Sequence, residues 1–100
     1  MIIYNVTSKV EKESAEAWVK WMKDEHIGEL LATGLFTDCK LCRLLEQDEA
    51  DGLTYTAQYF CDTLEQYNTY IDTYATEFRG KANSKFGGKY VAFRTLMEII

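Results

Sequence analysis

The hydrophobic period switches repeatedly along this chain, and that succession constrains the fold more than any single motif. Ile2, Tyr4, Val6 and Val10 alternate with Asn5, Thr7 and Lys9, the period of a strand with one buried side. From about residue 12 the spacing becomes helical: Ala15, Trp18, Val19, Met22, His26 and Leu30 form one stripe, with Lys20, Lys23 and Asp24 opposite. Gly28 is expected to bend or loosen this helix, and Gly34 to end it. "FTDCKLCRLL" (36–45) predicts a second strand, "EQDEADG" (46–52) a charged loop closing on Asp51-Gly52, and "LTYTAQYF" (53–60) a third strand. Its inward set is Leu53, Tyr55, Ala57 and Tyr59. Asp62 and Glu65 have capping-box spacing before a helix whose stripe is Leu64, Tyr67, Ile71, Ala75 and Phe78. A break is expected near Gly80 and an end by Gly87-Gly88. In the closing "KYVAFRTLMEII", Val91, Phe93, Met97 and Ile99 oppose Tyr90, Ala92, Arg94 and Leu96.

The order βαββαβ predicts an α+β fold, a ferredoxin-like plait in a single domain over residues 1–100. With right-handed crossovers, a four-stranded antiparallel sheet carries both helices on one face. The other face is then bare. The expectation is that Ile3, Phe60, Tyr90, Ala92 and Leu96 lie on it among threonines, with Arg94 nearby. An apolar patch of that size marks an interface, and the long apolar last strand is a hazardous edge. Both point to a homodimer packed sheet to sheet, with Arg94 making an intersubunit hydrogen bond.

A net charge of −5 leaves no basic face for nucleic acid. No apolar run is long enough for a membrane span, and the start has no signal-peptide pattern. Three cysteines, an odd number, suggest reduced thiols and a cytoplasmic location. Cys39-Lys40-Leu41-Cys42 has C-x-x-C spacing, but in a strand an offset of three sends the two thiols to opposite faces. The same opposition spoils a Cys₃His zinc set with Cys61 and His26, so no metal or cofactor is expected. Phosphate loops, G-x-S-x-G and H-E-x-x-H are missing too.

His26 is the only histidine, and it falls near the centre of the first helix's apolar stripe. A buried imidazole without a partner costs about 1–3 kcal/mol, so it needs a hydrogen bond or a wet cavity. Glu29, one turn on, could supply that partner and would favour the charged form. Two readings stand for His26. In one it is a structural residue satisfied by a carbonyl or by Tyr4 or Tyr59. In the other it is the acid, base or donor of a pocket between helix and sheet. In that pocket Trp18, Tyr4 and Tyr59 would form apolar walls. Trp21 would lie near the mouth or flat on the surface, and Arg43 would be either an anchor for an acidic ligand group or half of an ion pair.

"MIIYNVT", "WVKWMKDEHIGELLATGLF", "CRLLEQDEADGLTYTAQYF" and "KYVAFRTLMEII" together resemble a family of small bacterial proteins, domain of unknown function 4286. That family is similar to the dimeric α/β barrels, in which two plaits pair through their sheets. The resemblance implies a homodimer and a pocket lined by a histidine and aromatics. It also implies chemistry of the cofactor-independent monooxygenase or isomerase kind, without carrying over any reaction. A haem role fits poorly, since the second helix lacks histidine. Gly28 stands where that family is associated with proline, which implies a softer bend. A non-catalytic interaction module, using the dimer surface and acidic loops, is the alternative.

Overall fold

The computed structural model describes residues 1–100. Strand β1 (Ile2–Val10) leads into helix α1 (Lys12–Trp21), a π-helical turn (Met22–His26) and helix α2 (Ile27–Ala32). Strands β2 (Asp38–Arg43) and β3 (Leu53–Cys61) follow, then helices α3 (Leu64–Thr73) and α4 (Ala75–Phe86), and strand β4 (Tyr90–Glu98). The sheet is antiparallel in the order β2-β3-β1-β4. This is the expected plait, with β1 at its centre.

The core forms where the helices meet one sheet face. Ile2, Tyr4, Val10, Tyr55, Ala57, Tyr59 and Cys61 supply the sheet side, against Ala15, Trp18, Trp21, Met22, Leu30, Tyr70, Phe78 and Phe86. Burying these aromatics removes the most water-exposed apolar area and drives the two layers together.

Four local expectations are corrected. The second strand is shorter than 36–45: Phe36 instead plugs the core at 3% exposure, and Leu45 is 76% exposed. Pairing stops because Glu46 turns the chain with φ 57°. The capping box is Thr63 with Gln66 rather than Asp62 with Glu65. Thr63 Oγ1 accepts from the Gln66 N–H at 3.2 Å, and Gln66 Oε1 accepts from the Thr63 N–H at 3.1 Å.

The helix irregularities fall at neither Gly28 nor Gly80, both of which sit in open space. The first helix loosens at Met22–His26, where the Ile27 N–H reaches back five residues to the Met22 carbonyl. The second kinks at Tyr74 (φ −118°, ψ −28°), so that Tyr70 before it and Ala75 and Phe78 after it all stay buried.

The faces of β4 are the reverse of the expectation. Tyr90, Ala92, Arg94 and Leu96 pair with Val10, Ser8, Val6 and Tyr4, which face the helices. Arg94 therefore lies on the helix side, away from the bare face. That face carries Val91 and Phe93, 71% and 65% exposed, with Ile3, Phe60 and Met97. Both faces of β4 are apolar, so alternation alone does not say which one is covered.

Candidate functional site

A small cleft of about 40 Å³, open at its mouth, lies between the first helix and the sheet. Trp18 and Met22 form its roof, and Val6, Ser8, Tyr55, Ala57 and Tyr59 its floor. The space exists because four of its lining residues, Ser8, Ala57, Ala82 and Ala92, are small. It is narrow, with room for a few waters. Arg94 and Tyr90 edge it from β4.

Two buried polar atoms on its lining residues have no partner, Trp18 Nε1 and Tyr59 OH. Burial holds the Tyr59 hydroxyl well above the usual tyrosine range. The neighbouring Cys39 thiol is pushed up to about 12, mainly by burial. Both groups stay protonated near neutrality. The polar residues lining the cleft are Ser8 and one cation, Arg94, set in a mostly apolar wall.

Of the residues singled out from the sequence, Trp18 and Tyr59 line this cleft. Tyr4 packs beneath the second helical arm, with Phe36, Tyr67 and Tyr70 around it. Its hydroxyl accepts from Arg79 Nη2 at 3.3 Å. Trp21 is buried, 6% exposed, between Trp18, Phe86 and His26.

His26 turns toward α4, stacks on Trp21, and meets the edge of Phe78 at 6.4 Å. It does not line the cleft. Its Nδ1 is buried without a partner, and its pKa falls to about 4. Burial is the main cause. It outweighs the opposing pull of Glu29, and Lys81 and Arg94 add smaller lowering effects. Glu29 is not its partner, because that carboxylate accepts from Lys81 Nζ at 2.5 Å.

Arg43 is exposed and grips Glu49 with Nη2 at 2.7 Å and Nε at 3.2 Å, so its fork is already filled. Cys39 faces inward and Cys42 outward, on opposite sides of β2.

Arg94, Ser8, Tyr55 and Tyr90, which line the cleft, were missed as site residues. The available signal was Ser8, a small polar residue inside the apolar stripe of a central strand.

A two-layer α+β plait with a helix–sheet cleft defines the class, a ferredoxin-like protein. The chain belongs to the family described as Domain of unknown function (DUF4286), which matches residues 1–100. No protein of curated function matches it. Among solved structures it is similar to an ethyl tert-butyl ether d (ethd) family protein from Bacillus halodurans, with 19% identity, a TM-score of 0.68 and all of both chains covered. It is also similar to an antibiotic biosynthesis monooxygenase, with 12% identity, a TM-score of 0.67, and 100% and 99% coverage of this chain and that one. A dimeric ferredoxin-like protein from an uncultured marine organism matches with 11% identity, a TM-score of 0.58, and 98% and 97% coverage. At such identities the likeness speaks for the fold. No helix is long and apolar enough to cross a membrane.

Proposed function

We propose that the chain works as a homodimer joined through its bare sheets, each subunit binding a small, partly apolar molecule between the first helix and the sheet. The cleft carries this reading: ten of its twelve lining residues are hydrophobic, with Ser8 and Arg94 as the polar ones. The dimer draws support from exposed Val91 and Phe93 on a flat face, and from a neighbour described as dimeric.

The lining groups can donate hydrogen bonds and stabilise negative charge on a bound molecule. That suits chemistry of the monooxygenase or isomerase kind, in which the bound molecule itself carries the reactive electrons. Trp18 and Tyr59 are the binding walls. His26 serves from behind, holding Trp21 against Trp18.

The test is a fragment screen by NMR on the full chain. Shifts should cluster on the Trp18 indole N–H and the backbone of Ser8 and Ala57. Ala92→Leu, which fills the cleft, should abolish them while the fold persists. Fragments that bind Ala92→Leu equally well would overturn the reading.

A further inference from the structure

The chain has three arginines, in a protein with 16 acidic residues. Arg43 is neutralised by Glu49, but neither Arg79 nor Arg94 has a carboxylate partner. These two line a second recess with Asn83, Tyr90 and Ala92. Tyr90, Ala92 and Arg94 border both this recess and the cleft described above.

The local structure explains the meeting. Arg79 and Asn83 stand four residues apart on one side of α4, and Arg94 projects from the helix-facing side of β4. Tyr90 OH donates to Asn83 Oδ1 at 2.7 Å, tying strand to helix at the recess. Arg79 Nη2 donates to Tyr4 OH at 3.3 Å, which fixes the guanidinium, while its Nε is buried and has no acceptor. Two guanidiniums lining one open recess with no carboxylate on either, in a chain so rich in carboxylates, leave their accessible N–H groups for an anion from outside.

We infer that Arg79 and Arg94 form an anion-binding seat at the edge of the cleft, and that the ligand is an organic carboxylic acid whose apolar body lies against Trp18 and Tyr59. A carboxylate fits better than a phosphate. Two guanidinium forks match its planar pair of oxygens, whereas no lysine or glycine-rich loop lines the recess to wrap a tetrahedral anion. This rests on the cleft reading, to which it adds the head group.

The experiment titrates the isotope-labelled full chain with phenylacetate, with phenethyl alcohol as the uncharged counterpart, and with inorganic phosphate. Phenylacetate should shift the Trp18 indole and Arg94 side-chain resonances together, and bind about tenfold more tightly than the alcohol. The preference should weaken with added salt. Arg94→Gln and Arg79→Gln should each bring phenylacetate affinity down to that of the alcohol, with the backbone amide spectrum showing that the fold is kept.

Equal affinities, a preference surviving in both variants, or phosphate binding as tightly as phenylacetate would overturn the carboxylate seat and leave the cleft standing. Failure of both ring compounds to reach Trp18 would overturn the seat and the cleft together.

Discussion

The indole of Trp21 and the imidazole of His26 lie face to face, ring centroids 4.5 Å apart and planes 22° from parallel. Residues five apart on an α-helix diverge by about 140° and cannot stack. The π-helical turn between them closes over five residues and brings both rings onto α4.

This stack makes a pH prediction. His26 has a folded-state pKa of about 4 against an ordinary 6.5, so the unfolded chain binds a proton first. Stability from this group is complete above pH 6.5 and falls as the pH drops towards 4, by about 3 kcal/mol at most. An NMR titration should find His26 neutral at pH 5.5, and His26→Phe should flatten the fall in denaturation midpoint between pH 6.5 and 4. A midpoint near 6.5 for the native imidazole would refute the burial argument.

Dimer contact through the bare face should depend on Phe93, which is 65% exposed. Phe93→Lys should convert a dimer to a monomer in light scattering and barely change the unfolding free energy of the subunit, because little burial is lost within it. A parent chain already monomeric at micromolar concentration would defeat the sheet-to-sheet proposal.

Gly52 is required by its surroundings. Its φ is +150°, and a Cβ there would sit 2.5 Å from the Val10 carbonyl oxygen. Gly52→Ala should cost about 1–3 kcal/mol in urea unfolding, since backbone on a central strand must yield. A neutral result would mean that the loop relaxes freely.

The capping box at Thr63 gives a smaller, cleaner effect. Thr63→Ala removes the acceptor of the Gln66 N–H and should lower stability by about 1 kcal/mol, whereas Glu65→Ala, outside the box, should lose much less.

The three thiols should separate in alkylation followed by mass spectrometry. Cys42, which is exposed, should react first. Cys39, whose thiol is pushed up to about 12, should react slowly, and fully buried Cys61 only on unfolding. A Cys39–Cys42 disulfide formed under mild oxidation would contradict their placement on opposite faces of β2.

Much of the fold was legible in the residues because it follows from local period. Alternation in "MIIYNVTSKV" and "LTYTAQYF", and the stripe from Ala15 to Leu30, place each element and its inward side, since burying one face is the same physical demand wherever the chain runs. The site was less legible. Trp18 and Tyr59 could be found because they belong to those stripes. The placements of Trp21, His26 and Arg94 could not be read the same way. An ideal helical period leaves Trp21 on the boundary, and only packing against α4 justifies the extra residue in the turn that buries it. In β4 both faces are apolar, so alternation groups Arg94 with Tyr90 and Ala92 without saying which way they point. The pairing of Val6 with Arg94, a hydrogen-bonded register between the two ends of the chain, turned that group toward the helices and set the arginine beside the cleft.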